Sequence, residues 1–138
     1  MTVAKILYVD GDSQRARRMA DLLTQRGHCA IVTGSAERAM LHVEHEADYD
    51  AVVLHLVLPG IDGAELCRWL QKWSSLPSTP RIAFTSPGTE LRIDLQKKLP
   101  RWLPADRYLH NVSDPAEIVA VLEELLSVQI AEPDETDQ

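Results

Sequence analysis

The stretch "AVVLHLVLPGIDG", residues 51–63, decides the fold assignment. It begins with a short apolar run, Ala51 to Leu54, of the length and composition typical of a buried strand. Proline and glycine residues within 59–63 then mark a loop. His55 stands where the strand ends, so the sequence places an ionisable imidazole at the edge of a predicted sheet.

Similar short apolar runs alternate with helical patterns along the rest of the chain. Strands are predicted over 4–9, 29–33, 51–55, 81–86 and 107–110. The first predicted helix contains Met19 and Leu23 and ends at Gly27, and the second starts near Ser35 and contains Val43. Three more helices are predicted over 62–73, near 89–98 and over 114–126. Five alternations of this kind predict a parallel sheet with right-handed crossovers, covered by helices on both faces. The fold class is therefore a three-layer, doubly wound α/β domain.

Composition limits the possible classes of protein. With 138 residues, 45% hydrophobic, one domain with one core is expected over 1–126. The segment "SVQIAEPDETDQ", 127–138, is acidic and poor in apolar residues, which predicts a disordered tail or linker. The absence of a long apolar run or a signal peptide in these residues favours a cytoplasmic protein without a membrane partner.

Charge and cysteine content point the same way. The net charge of −7 disfavours nucleic acid binding, and the basic cluster of Arg15, Arg17 and Arg18 is expected to be a solvated helix face. The two cysteines, Cys29 and Cys67, are far apart and are expected to be reduced, buried thiols.

Polar residues follow the predicted strands at the edge where such sheets bind ligands. These positions are Asp10-Gly11-Asp12, His55, Thr85-Ser86 and His110-Asn111. No G-x-G-x-x-G or phosphate-loop motif follows a strand, which disfavours a nucleotide cofactor.

Four segments in the same order resemble the receiver domain of bacterial response regulators, the CheY-like family. They are "KILYVDGD", "DYDAVVLHLVLPGIDGAELCRWL", "RIAFTS" and "ADRYLHNVSDPAEI", and the resemblance extends from Lys5 to about Leu126. It implies a flavodoxin-like (βα)5 fold with sheet order 2-1-3-4-5 and a place in two-component or phosphorelay signalling. In that family an aspartate after strand 3 accepts a phosphoryl group, and two acidic residues after strand 1 help to hold Mg²⁺.

The chain departs from the family pattern at most of these positions. His55 occupies the phospho-acceptor position, Gly11 replaces the second acid, and Asn111 replaces the usual lysine. The matching positions are Asp10 for the first acid, Thr85 for the switch hydroxyl and Tyr108 for the switch aromatic; Asp12 lies one residue too far along. Because Mg²⁺ requires oxygen ligands, the resemblance together with these departures predicts that Mg²⁺ binding is lost and that the chain uses no cofactor.

The sequence therefore predicts a pseudo-receiver, a non-enzymatic module that acts by phosphorylation-independent protein–protein interaction. Three interpretations of His55 stay open. It is itself phosphorylated, as part of an unusual site chemistry; it binds a transition metal with Asp10, in a ligand-sensing or metal-sensing crevice; or it is hydrogen-bonded to Asp10 or Thr85. The third is favoured, since the sequence offers neither the supporting cation nor further converging ligands.

Candidate partner surfaces come from the resemblance and from three tryptophans. The family's usual output face is formed by helix 4, strand 5 and helix 5, and Trp102 lies in a proline-bounded loop beside it. On the third helix, Trp73 continues the apolar stripe and is expected to pack, which leaves Trp69 as the exposed residue. His28 is expected at the surface. A homodimer is a further possibility.

Overall fold

The computed structural model describes residues 3–46, 48–74, 76, 78–88 and 103–136, with side chains as far as Ser127. The described elements are β1 (Lys5–Val9), α1 (Ser13–Gln25), β2 (Cys29–Thr33), α2 (Ala36–His45), β3 (Ala51–His55), α3 (Gly63–Lys72), β4 (Arg81–Phe84), β5 (Arg107–Leu109) and α4 (Pro115–Thr136). The helix predicted near 89–98 and the predicted partner residue Trp102 lie outside the described residues.

The five strands form one parallel sheet in the order β2-β1-β3-β4-β5. This confirms both the parallel topology and the strand order implied by the family resemblance. The register places His55, the last residue of β3, beside Phe84 of β4. All strands consequently end at the same edge of the sheet, where the polar residues collect.

Alternate residues of the strands bury into two separate cores, one on each face of the sheet. On one face Leu7, Val52 and Leu54 pack with α2 and α3. On the other face Tyr8 and Phe84 pack with α1 and α4. The sheet is thus the middle of three layers, as predicted, because side chains of a strand point alternately to its two faces.

The starts of three helices are fixed by capping side chains. Asp12, Ser35 and Asp62 each accept a hydrogen bond from a backbone N–H three residues further along, at the starts of α1, α2 and α3. Gly27 follows α1 with a φ of 88°, a left-handed conformation that glycine adopts without strain. Each of these helices therefore begins on the loop after a strand end.

The last helix, α4, extends beyond the predicted domain boundary. The sequence predicts a disordered tail or linker from residue 127, whereas the backbone stays helical through Thr136. Gln129, Ala131 and Glu132 are good helix formers, whereas Pro133 in the same stretch is not. Leu126 is the last buried side chain that the structure describes, and the domain boundary itself stays a prediction.

Two expectations about single residues are wrong. Cys67 is buried as predicted, but Cys29 is exposed, because it begins β2 at the edge of the sheet. His28 was expected at the surface and is buried instead. Its Nδ1 accepts a hydrogen bond from the backbone N–H of Ala4 (3.1 Å), and its Nε2 lies 3.0 Å from a carboxylate oxygen of Glu123 on α4. The imidazole thereby links Ala4, the residue before β1, to the last helix. Among the described helices, none has the length and apolarity needed to cross a membrane.

Candidate functional site

The site lies at the edge of the sheet where the parallel strands end. Asp10 follows β1, His55 ends β3, and Thr85 follows β4, and all three residues are buried. Burial of so many polar groups is tolerated only where each finds a hydrogen-bond partner. The partners of these three residues therefore define what the site can do.

Asp10 makes four hydrogen bonds, two to each carboxylate oxygen. Its Oδ2 accepts from the Tyr8 hydroxyl (2.6 Å) and from Arg15 Nε (2.6 Å), and its Oδ1 accepts from Arg15 Nη2 (2.7 Å) and the backbone N–H of Asp12 (2.9 Å). The carboxylate is fully inaccessible to solvent. The lone pairs of both carboxylate oxygens are thus occupied by hydrogen-bond donors of the protein.

Arg15 is the unexpected member of the site. The sequence predicts it on a solvated helix face, but its guanidinium turns back over the strand ends and pairs with Asp10 in a bidentate geometry. It also lies 3.6 Å from Asp12 Oδ2 and above the Phe84 ring. Helical side chains point toward the N-terminus of their helix, so a first-turn arginine beside an acidic strand end is the sequence signal for this pairing.

Gly11 and Asp12, the next two residues, place no second buried carboxylate beside Asp10: Gly11 has no side chain, and the exposed Asp12 carboxylate lies 3.6 Å from the Arg15 guanidinium. Asp12 caps α1, and its hydrogen bond from the Arg15 backbone N–H lowers the pKa of its carboxyl group. Gly11 is exposed, and a Cβ at this position would lie 3.0 Å from Cδ of Pro59. The loop after β3 therefore limits the space for an acidic side chain at residue 11.

His55 is hydrogen-bonded through both ring nitrogens, although not to the predicted partners. Its Nδ1 lies 2.8 Å from the carbonyl oxygen of Val57, and its Nε2 lies 3.0 Å from the Ser86 hydroxyl. A carbonyl only accepts, so Nδ1 carries the proton and Nε2 accepts from Ser86. The expected partners Asp10 and Thr85 are engaged elsewhere, but the interpretation of His55 as a hydrogen-bonded residue of the crevice fits the structure.

Burial lowers the pKa of His55 below its ordinary value of 6.5, and the hydrogen bond to the Val57 carbonyl opposes part of that shift. The nearby Arg15 guanidinium lowers the pKa further. The ring edge also packs against Phe84, with the ring centroids 5.0 Å apart. The imidazole is therefore neutral at pH 7, and the site holds no charge at the phospho-acceptor position of the family pattern.

The depressed pKa of His55 predicts a pH dependence of stability. Because the unfolded chain binds the proton more tightly, the contribution of neutral His55 is complete above pH 6.5 and is lost as the pH falls from about 6.5 through the folded-state pKa. The slope of the unfolding free energy is bounded by about 1.4 kcal/mol per pH unit for one proton. Urea unfolding between pH 5 and 8 should show this slope in the wild type and lose it in His55→Gln.

His45→Gln is the matched control for this measurement, since His45 is exposed on α2. Its pH profile is expected to follow that of the wild type. Equal slopes in the wild type and in His55→Gln would contradict a buried, neutral His55.

Thr85 is held on the side of the site that faces β5. Its hydroxyl oxygen accepts from the backbone N–H of Asn111 (2.9 Å) and lies 2.9 Å from Nδ1 of His110. The Tyr108 hydroxyl lies 3.3 Å from the same nitrogen. His110 thus lies between the residues that match the family's switch hydroxyl and switch aromatic, and the sequence marks it only as a strand end.

Asn111, which replaces the lysine of the family pattern, is exposed and has a φ of 61°. Asparagine tolerates this left-handed conformation better than most residues do. Its backbone N–H donates a hydrogen bond to the Thr85 hydroxyl oxygen, so this position contributes to the site through its main chain.

The solvent exposure of Trp69 and Trp73, on α3 and at its C-cap, is the reverse of the prediction. Trp69 is half-buried and packs against the core, whereas Trp73 is 78% exposed. Trp73 follows the last helical residue as the C-cap, with a φ of −119°, so it no longer continues the buried stripe of the helix. The sequence argument fails here because it extends the helical period one residue too far.

Comparison with known proteins places this geometry in a family. The sequence model of the response regulator receiver domain family matches residues 6–123 of this chain. The transcriptional regulatory protein TcrA of Mycobacterium tuberculosis is 36% identical over 87 residues, which are 61% of this chain and 32% of TcrA. The DNA-binding response regulator MtrA of Mycolicibacterium paratuberculosis is 31% identical over 116 residues, which are 84% of this chain and 48% of MtrA. The chain thus spans at most about half the length of these relatives.

Solved structures agree with the family match. The BeF3-activated receiver domain of Klebsiella pneumoniae RstA has a TM-score of 0.71 and 29% identity, covering 88% of this chain and 97% of that one. A CheY-like receiver domain protein of Methanospirillum hungatei has a TM-score of 0.79, covers 95% of this chain and 99% of that one, and at 21% identity supports the fold alone. The family match over residues 6–123 and the five-stranded sheet together show that the chain belongs to the response regulator receiver domain family of two-component signalling.

Proposed function

We propose that this receiver domain signals without phosphorylation or Mg²⁺, as a non-enzymatic module that acts through protein–protein contact. The observation that carries the proposal is the Asp10–Arg15 pair. A guanidinium already provides the positive charge that a divalent cation would bring to Asp10, and it does so with two short hydrogen bonds.

Mg²⁺ does not fit the donor set of this site. It requires oxygen ligands in near-octahedral geometry, and carboxylates are its usual protein ligands. Asp10 is saturated by four protein donors, Gly11 has no side chain, and His55 offers a neutral nitrogen. Binding would require the cation to displace Arg15, whose charge would then face it at short range.

The alternatives for His55 are also disfavoured by its contacts. Both ring nitrogens are hydrogen-bonded within the crevice, so phosphorylation or metal binding would break one of these bonds. Asp10 and His55 do not share a ligand direction, because Asp10 pairs with Arg15. In the part of the chain that the structure describes, no group of three or more His, Cys, Asp or Glu side chains is arranged to hold a metal ion.

Incubation with acetyl phosphate and Mg²⁺ is expected to leave the intact mass of the chain unchanged. Beryllofluoride with Mg²⁺ is expected to leave the tryptophan fluorescence unchanged, since nothing at the site binds either ion. The RstA receiver domain of Klebsiella pneumoniae, solved in a BeF3-activated state, is the positive control. A stoichiometric phosphoryl adduct that peptide mapping places at Asp10, Asp12 or His55 would overturn the proposal.

His55→Asp is the informative variant in the same assay. It supplies a carboxylate at the acceptor position but leaves Arg15 on Asp10, Gly11 without an acid and Asn111 without a cation. No phosphoryl adduct is expected in this single variant. Rapid labelling of His55→Asp would show that the acceptor alone was missing and that the rest of the site is competent.

The partner is proposed to be a protein, with the predicted face of helix 4, β5 and the last helix as one candidate surface. Of that face the structure describes β5 and the last helix, which is α4 (Pro115–Thr136) in the numbering used here. Tyr108 on β5 is half-buried. We further propose that nucleic acid is not a partner of this domain, in keeping with its charge of −7. A homodimer through this face remains an alternative assembly, which sedimentation at several concentrations distinguishes.

A further inference from the structure

We propose that the solvent face of α3 is a docking site for a partner segment that combines apolar side chains with carboxylates. This inference deepens the proposed function, on which it rests, by assigning a surface and the chemistry of its occupant. The surface is a shallow groove of about 380 Å³ between α2, α3 and the loop that precedes α3, called here the α3 groove.

The apolar part of the α3 groove consists of Met40 on α2, Ile61 in the loop, and Trp69 and Trp73. Trp69 packs partly into the core and forms a rigid wall, while Trp73 projects with 78% of its surface exposed. The Trp73 backbone N–H donates to the carbonyl of Trp69 (2.8 Å), so the two residues keep a fixed spacing. A large indole left in water beside a half-buried one is typical of a surface that another molecule covers.

Two cations line the same groove. Arg68 and Lys72 lie four residues apart on α3, each adjacent in sequence to one of the two tryptophans, and both are exposed. Within the described residues neither side chain forms an ion pair, although five other ion pairs are found there. Their charges are therefore available to an incoming group.

Charge complementarity identifies the occupant. The chain carries a net charge of −7, so a positive pair beside two indoles is a local reversal of the overall field. Carboxylates spaced like the two cations would bind Arg68 and Lys72, while an aliphatic or aromatic side chain would cover Trp73. Glu65, at the other end of the groove, would meet a neutral or basic group. These features favour an acidic, apolar peptide segment of a partner protein, and two cations are too few to hold a nucleic acid on an acidic domain.

Peptide display tests the chemistry of the occupant without knowledge of its identity. The full chain is immobilised, and random twelve-residue peptides are selected against it and then resynthesised for titration by isothermal calorimetry, which does not depend on Trp73 as a reporter. Selected peptides are expected to be enriched in Asp and Glu together with Leu, Ile or Phe. Trp73→Ala is expected to weaken their binding at least tenfold, and the charge reversal Arg68→Glu with Lys72→Glu is expected to abolish it.

Leu41→Ala is the matched control, because Leu41 is 57% exposed on α2 and lies outside the α3 groove. Its affinity for the selected peptides is expected to equal that of the wild type. Peptides without an acidic bias, or peptides that bind Trp73→Ala and the wild type equally, would overturn the inference. A concentration-dependent dimer that Trp73→Ala abolishes would also overturn it, since the occupant would then be a second copy.

The outcome is separable from that of the proposed function. Absence of phosphorylation is read from the mass of the chain after acetyl phosphate, which does not depend on Trp73. Peptide binding at the α3 groove is read from affinity in the absence of any phosphodonor. Either result can fail while the other holds.

Discussion

Replacing Gly63 by alanine is expected to destabilise the domain by about 3 kcal/mol or more. A Cβ at this first residue of α3 would lie 2.7 Å from the carbonyl oxygen of His55, 2.8 Å from Cδ1 of Leu54 and 2.8 Å from Cα of Leu56. Two of these atoms belong to the backbone of the β3 end, so relief requires α3 to move away from the sheet. That movement would also disturb the hydrogen bond from the Gly63 N–H to the Leu56 carbonyl (2.8 Å).

Urea unfolding checks the Gly63 prediction, with a lowered midpoint at an unchanged m value as the expected result. Gly34→Ala is the control, because the nearest of the atoms around a Cβ at residue 34 is 3.9 Å away and its φ is not in the left-handed region. The control is expected to change stability by less than about 0.5 kcal/mol. Equal stability of Gly63→Ala and Gly34→Ala would show that α3 does not pack against the strand end as closely as described.

Removal of the Arg15 guanidinium is expected to have an effect of similar size. Arg15→Ala would leave the carboxylate of Asp10 buried without its cation, and breaking a buried pair in this way costs about 3 kcal/mol. The Tyr8 hydroxyl and the Asp12 N–H would still donate, so the protein is expected to fold. The loss of stability is expected to be smaller when Arg15→Ala is combined with Asp10→Asn, because asparagine is neutral and leaves no unpaired charge buried in the site.

The wild type, Arg15→Ala, Asp10→Asn and the double variant form a double-mutant cycle, and their free energies of unfolding are compared by urea unfolding at pH 7. Arg18→Ala serves as the control, because Arg18 is an exposed residue of the same helix. A value for Arg15→Ala within about 0.5 kcal/mol of the wild type would mean that the pair contributes no more than an ordinary surface salt bridge. In that case the main support for an internal counter-ion at Asp10 would be lost.

The internal counter-ion compensates the buried charge of Asp10. In a receiver that depends on phosphorylation, the acidic cluster is compensated when a cation binds. Here Arg15 supplies that compensation permanently, and burial also raises the pKa of the Tyr8 hydroxyl beside Asp10, which keeps it a donor.

The sequence by itself determines the architecture of this protein. Alternation of short apolar runs with amphipathic helices fixes the parallel sheet, and the resemblance supplies its order, because these patterns report which residues must leave water. The capping residues Ser35 and Asp62 are equally local signals and mark the starts of α2 and α3 correctly. The collection of Asp10, His55 and Thr85 at one edge follows from the topology alone.

Only the tertiary structure decides which of these side chains meet. Arg15 is polar and so fits a solvated face in the sequence pattern, yet its length lets it reach Asp10 across the strand ends. His55 bonds to Val57 and Ser86, and Trp73 rather than Trp69 is exposed, because hydrogen-bond partners and the last turn of a helix depend on rotamers and on where the backbone turns. Apolar periodicity indicates which residues are buried. Which polar groups meet depends on rotamers and on the path of the backbone, and only the folded chain sets these, even for pairs that are close in sequence such as Arg15 and Asp10.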